Sequence, residues 1–510
     1  MSEPSPPKIN HEVLQHCAQV LEAIADDTLI LSQLSSADRV RFMMAAGRVI
    51  HPEQAQIRHR LKAMRSLKRK EKESKDRALR ATTSIRASRK ESVFIAPIRQ
   101  LAEQRSAASS VVLLERPRDC YICKESFAQV HFFYDSMCPA CAQFNYEKRF
   151  QTAPLHGRVA IITGARMKIG YQAALMLLRA GARVIVTTRF PQDAAVRFGR
   201  ETDFLAWGSR LQIHGLDLRH SPSVEVFTRL MDQTLDRLDF LINNAAQTVR
   251  RPPGFYQHLM EIETQPFEAL PKEAQKVLEQ HEQLKRALIG EPGTQWLADW
   301  HQGKAVPTLG ITASAALSQI PYRFDEETSA EHFPAGQLDA DLQQVDQRGM
   351  NSWRMRLADV PTAEMLEVQL VNSVAPFILC SKLKPLMMRD RTGAKHVINV
   401  SAMEGKFARH TKTDKHPHTN MAKAALNMMT LTSARDYVRD GIYMNAVDTG
   451  WVTDEDPAAL SARKQDEHDF QPPLDIIDGA ARICDPIFSG FLTGQHSWGN
   501  FLKDYRPTEW

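Results

Sequence analysis

The chain has 510 residues, 43% of them hydrophobic and 25% charged, with a net charge of +5 and seven cysteines. That length predicts two or three domains, and the balance of apolar and charged residues is that of a globular protein. No uninterrupted apolar run approaches the roughly 20 residues that span a bilayer, the first residues lack the apolar core of a secretory signal, and the cysteines are too few for a disulfide scaffold, so no membrane and a cytoplasmic location are expected.

Residues 1–115 read as a basic helical region. His11 to Ile24 places Val13, Leu14, Cys17, Val20, Leu21 and Ile24 on one helix face, and Ser36-Ala-Asp38 opens a second helix ending near Ile50. From Gln54 to about Lys90 the pattern turns basic. Between His51 and Lys90 fourteen Lys and Arg face four acids, so the rest of the chain is net negative. Such a run is either a solvated helix or a surface for a nucleic acid or protein partner, and it lacks aromatic residues for base stacking.

Residues 116–152 form a compact unit. Cys120-Tyr-Ile-Cys123 and Cys138-Pro-Ala-Cys141 are two Cys-x-x-Cys pairs separated by fourteen residues. Four thiolates in two clips satisfy tetrahedral Zn²⁺ in a closed, structural site. With a helix expected from Ala142 to Phe150, the unit resembles a treble-clef or ribbon-type zinc finger. A redox dithiol or unrelated buried cysteines explain the paired spacing less well. Cys17, Cys380 and Cys484 stand alone and are expected to pack as apolar residues.

An apolar β run, Val159 to Ile162, then empties into a turn holding Gly164, Arg166, Lys168, Ile169 and Gly170, and an apolar helix pattern starts at Tyr171. That order suits a dinucleotide, because backbone N–H groups and a helix N-terminus can meet a pyrophosphate. Lys168 stands where a middle glycine is usual. A second strand, Arg183 to Thr188, ends in Arg189. Gly215-Leu-Asp-Leu218, Leu238 to Ala246 with Asn243-Asn244, Val371-Asn-Ser-Val-Ala-Pro-Phe377, Val397-Ile-Asn-Val-Ser401, Lys423 and Met444 to Val452 follow in order.

This series resembles the short-chain dehydrogenase/reductase superfamily. The resemblance implies an α/β fold over residues 153–510: a Rossmann-type, doubly wound parallel sheet with a large insertion at 247–360 that is expected to lid the ligand crevice. It implies cofactor contacts at Gly164, Arg166, Lys168, Ile169, Gly170, Arg189, Asp217, Asn244 and Lys423. An acid after the second strand would bond an NAD ribose hydroxyl. Arg189 there favours the 2′-phosphate of NADP over NAD. A homo-oligomer packed through the helices bearing Asn372 and Lys423 is implied too, with Leu366, Leu370, Leu379, Leu383, Ala425, Met428 and Met429 as candidate contacts.

The catalytic set departs from the family. Its members use a Tyr four residues before a Lys, with a Ser and an Asn. Asn372 and Lys423 match, but Thr419 takes the Tyr position, and Ser401 lies one residue from the expected Ser. An aliphatic hydroxyl is far less acidic than a phenol of pKa about 10. His410, His416 and His418 crowd the same loop. Two readings stay open: an NADP-dependent oxidoreductase with an atypical site and an unknown small-molecule substrate, or a catalytically silent NADP-binding scaffold that engages a macromolecule through its zinc unit and basic helix.

Overall fold

The structure is a computed structural model. It describes residues 10–50, 54–96, 99, 112–290, 307–322, 330–409 and 411–510. Contacts group the chain into two units, Met1–Lys75 and Asp76–Trp510.

The first unit is helical: α1 (His11–Asp26), α2 (Ser36–Ile50) and most of α3 (Gln54–Ala81). Asn10 caps α1 by accepting the Val13 N–H at 2.9 Å. No residue of α1 or α2 is buried. Val13, Leu14, Val20 and Leu21 are exposed. Cys17, expected to pack, is exposed as well. The physical reason is that the described residues of this unit offer no sheet on which an apolar stripe could close.

In the second unit a short helix, α4 (Ser84–Ser88), precedes the antiparallel hairpin β1 (Val112–Asp119) and β2 (Ser126–Val130) and the helix α5 (Pro139–Lys148). The main sheet follows. Its strands are β3 (Val159–Thr163), β4 (Arg183–Thr188), β5 (Leu211–Gly215), β6 (Phe240–Asn243), β7 (Lys395–Ser401), β8 (Ile442–Asp448), β9 (Phe501–Lys503) and β10 (Arg506–Thr508). The spatial order is β10-β9-β8-β7-β6-β3-β4-β5, parallel except for the β9–β10 pair. Order reverses beside β3, which places a ligand crevice at the carboxyl ends of β3 and β6.

Helices cover both faces. On one lie α6 (Lys168–Arg179), α7 (Pro191–Gly199) and α14 (Ile476–Thr493); on the other lie α8 (Ser221–Thr234), α11 (Thr362–Met388) and α12 (Pro417–Tyr437). Neighbouring β3 residues alternate between two cores, Ala160 and Ile162 in one, Val159 and Ile161 in the other. This is why the strand reads as continuously apolar. By length and composition α11 could cross a membrane, but it packs as a core helix, with Leu379, Leu383, Leu386 and Met387 buried.

The insertion joins β6 to α11. It contributes α9 (Pro253–Glu263) and α10 (Lys272–Gly290), the latter packed against α7 and β5. Trp296 and Trp300 of the insertion lie outside the described residues. Between β8 and α14 runs an excursion, residues 449–475, which includes α13 (Ala458–His468).

Candidate functional site

The β3–α6 turn has the close backbone approach that a phosphate cradle needs. Gly164 sits at φ +67°. A Cβ on Gly170 would lie 2.3 Å from Asn244 Nδ2 and 2.7 Å from the Gly164 carbonyl, so no side chain fits there. Lys168 adopts φ +52°, in the left-handed region. That conformation explains why glycine is usual at its position, and it costs a residue with a Cβ roughly 1–2 kcal/mol. No side chain caps α6 at Met167, and its first-turn residues Lys168, Ile169 and Gly170 line the crevice, an arrangement suited to an anion.

A cavity of about 360 Å³ opens beside this turn. Gly164, Arg166, Lys168, Ile169, Gly170, Arg189, Asp217 and Asn244 all line it, so the structure brings the sequence-predicted cofactor residues together except Lys423. Their roles differ. Asn244 donates through Nδ2 to the Thr163 and Gly164 carbonyls at 3.0 and 3.1 Å, which holds the turn. Arg166 is nearly buried and bonds Asp193 at 2.6 Å. Burial raises the Asp217 carboxyl, but the two-pronged bond from Arg219 outweighs it and holds the group below the usual carboxylate range. Arg189 donates to Tyr256 Oη at 2.7 Å, with its guanidinium 4.8 Å from that ring's centre. A planar cation held on an aromatic wall matches a dianionic phosphate.

Arg251, Phe255, Tyr256 and Gln343 also line the cavity, and nothing in the local pattern of the insertion marks them. The only advance signal was the placement of a long loop at a strand's carboxyl end.

The catalytic positions lie apart from that lining. Asn372 sits in a π-turn, Leu370–Val374, within α11, and its side chain is spent on Gln247: Oδ1 accepts the Gln247 N–H at 2.7 Å and Nδ2 donates to its carbonyl at 3.0 Å. Ser401 Oγ donates to Asn427 Oδ1 at 2.5 Å. Thr419 Oγ1 donates to the His416 carbonyl at 2.8 Å. Lys423 Nζ donates to the Val400 carbonyl at 2.8 Å. Burial lowers the Lys423 pKa to about 8, with Glu404 and Asp448 opposing the shift. The insertion reaches this corner too. Trp353 stacks on His416 with ring centres 3.9 Å apart, and the Met355 carbonyl accepts the His416 N–H at 2.8 Å. His418 is buried 3.6 Å from Glu364. His410 lies outside the described residues.

In the segment before the main sheet, Cys120 and Cys123 follow β1, and Cys138 and Cys141 flank the start of α5. Their sulfurs lie within 4.8 Å of one another, with Cys123 and Cys138 at 3.7 Å. A tetrahedral Zn²⁺ with bonds of about 2.3 Å needs sulfurs about 3.8 Å apart, so the cluster fits such an ion. Cys380 and Cys484 are buried as expected.

Two family models match the chain: short chain dehydrogenase over residues 158–269, and enoyl-(acyl carrier protein) reductase over residues 331–473. An uncharacterized protein, R665, of Acanthamoeba polyphaga mimivirus is 31% identical over 399 residues, which cover 76% of this chain and 74% of that protein. The WW domain-containing oxidoreductase of Drosophila melanogaster is 34% identical over 122 residues, 24% of this chain and 28% of that one. A solved Pseudomonas aeruginosa RhlG/NADP active-site complex aligns with 68% of this chain and 94% of its own, at 19% identity and a TM-score of 0.41. The two family models and the 31% identity over three quarters of the chain show that it belongs to the short-chain dehydrogenase/reductase superfamily, whose members are generally NAD(P)-dependent oxidoreductases, and the glycine turn between β3 and α6 and the parallel sheet agree with this.

Proposed function

We propose that the chain is an NADP(H)-dependent oxidoreductase with an atypical active site, and that its four clustered cysteines hold a structural Zn²⁺. The observation that carries the cofactor reading is Arg189, held on Tyr256 at the cavity wall directly after β4, where it would meet a 2′-phosphate. The bound nicotinamide would supply or accept a hydride. The chain's own groups do the rest. The α6 N-terminus takes phosphate, and Asn244 fixes the turn that presents it. Lys423, whose pKa of about 8 lies near neutrality, holds a proton at Nζ where the family's phenol is missing. Calorimetric titration with NADPH and NADH, followed by NADPH oxidation against a carbonyl panel, tests the reading. Binding of neither cofactor refutes it.

A second reading has its own support. The hydroxyls of Ser401 and Thr419 are both committed to internal acceptors, and neither they nor Lys423 line the cavity. These features favour a silent NADP-binding scaffold. In that case exposed cations of α3, among them Arg58, Arg60, Lys62 and Arg65, would contact a polyanion. NADPH binding without turnover of any carbonyl, together with salt-sensitive binding of RNA or DNA, is the outcome expected of the scaffold.

A further inference from the structure

The 449–475 excursion borders the cleft. Thr453 and Glu455 line the cavity, and Thr248 Oγ1 donates to Glu455 at 3.4 Å. Both ends of this excursion are gripped by the segment that carries the cysteines, and a point between them is tied to that segment through Arg86 of α4. At its start, Tyr121, between Cys120 and Cys123, accepts the Trp451 N–H through Oη at 3.0 Å. A Cβ on Gly450 would lie 3.3 Å from the same oxygen. The Tyr121 N–H donates to the Ser136 carbonyl at 2.9 Å, so this residue is tied to the loop leading to Cys138 as well.

At the far end, Arg149 directly follows α5, whose first turn carries Cys141. It donates to the two carboxylate oxygens of Asp475 at 2.6 and 2.9 Å and lies 2.9 Å from Asp478. In the middle, Arg86 joins Asp135 to Asp469, each at 2.8 Å. Val452 and Leu474 are buried in one apolar cluster with Phe127, Phe133 and Met137 of the cysteine unit. A lone two-stranded hairpin such as β1–β2 is marginal in water. Ligation is what makes a small thiolate unit rigid.

We propose that metal held by Cys120, Cys123, Cys138 and Cys141 sets the position of the 449–475 excursion and thereby the mouth of the dinucleotide cleft, with Tyr121 as the positioning residue. This rests on the reading of the cysteines as a metal site, and the experiment separates the two. Zinc content of the purified chain is measured first. Metal is then stripped, and restored with Zn²⁺ alone, while hydrogen exchange is followed without cofactor in peptides covering 449–475, with β3 and β4 as internal reference.

Stripping is expected to speed exchange around Trp451 by roughly tenfold and zinc to reverse it. Zinc-loaded Tyr121→Phe, which keeps every ligand but loses the acceptor oxygen, is expected to show part of the effect and a several-fold weaker NADPH affinity at unchanged melting temperature. A chain that holds no zinc and takes none up removes the metal reading and this proposal with it. A chain that holds zinc but shows unchanged exchange in both arms overturns this proposal alone. If stripping loosens β3 and β4 as well, Tyr121→Phe decides, and normal exchange in that variant overturns the proposal.

Discussion

In the proposed oxidoreductase Arg189 and Lys423 concentrate the chemistry, and each gives a test at its own position. Loss of a charge-assisted bond to phosphate costs about 1.5–3 kcal/mol. Arg189→Ala is therefore expected to weaken NADPH binding by roughly tenfold or more while leaving NADH nearly unchanged. Calorimetry with both cofactors checks it, and equal losses would place Arg189 away from the phosphate. Lys423 is buried, and its pKa falls from 10.5 to about 8. Below pH 8 the folded state must hold a charge that the unfolded state solvates freely, a cost on the order of 3 kcal/mol. The unfolded chain binds the extra proton between pH 8 and 10.5, so this cost shrinks as pH rises through that window. Lys423→Met is accordingly expected to be more stable than the native chain at pH 7, with the two denaturant midpoints converging by pH 10. A constant gap across that range would mean that Lys423 is not buried as a cation.

At the scale of elements, the β3–α6 turn and the cysteine hairpin carry the strongest local demands. Lys168 holds a left-handed conformation, and its ion pair with Asp341 spans a long 3.9 Å. Lys168→Gly is expected to raise stability by up to about 1 kcal/mol by relieving that conformation. The same variant should lower NADPH affinity if the ammonium meets phosphate. Thermal denaturation and calorimetry read the two effects separately. In the hairpin, Cys138→Ser is expected to abolish zinc retention by elemental analysis and to expose β1, β2 and α5 to exchange. The main sheet should hold, because its two cores are built from β3 to β8 and the helices around them. Loss of the whole fold in this variant would show that the cysteine unit is part of the cooperative core.

For the molecule as a whole, the apolar surface decides the expected assembly. Leu379 and Leu383, candidates for a contact between copies, are buried in the chain's own core and offer nothing outward. Leu366 and Met428, also candidates, are exposed, and so are Phe377, Met421 and Leu431 on the same two helices, α11 and α12. Exposed apolar residues clustered on two packed helices are characteristic of a self-complementary interface. A homodimer through this face is the expected state, checked by light scattering at micromolar concentration. Phe377→Glu combined with Met428→Glu should then give a monomer with an unchanged circular dichroism spectrum. A monomeric native chain would refute the interface.

Local patterns made much of this protein legible in advance. The strand at Arg183–Thr188, the Gly164–Gly170 turn and the paired cysteines each complete their signal within about twenty residues, because period, turn conformation and ligand clips are short-range properties. The loss of a phenol before Lys423 was visible in the same way. Tertiary structure alone decided who satisfies whom. Asp217 turns to Arg219, Arg166 to Asp193, Asn372 to Gln247, and Tyr256 backs Arg189 from inside the insertion. Arg86 meets Asp469 across 383 residues and Tyr121 meets Trp451 across 330. Such partners are chosen when burial leaves a charge or a backbone N–H without water and the nearest complementary group must serve. That choice depends on how long excursions settle on the sheet, which no local period encodes.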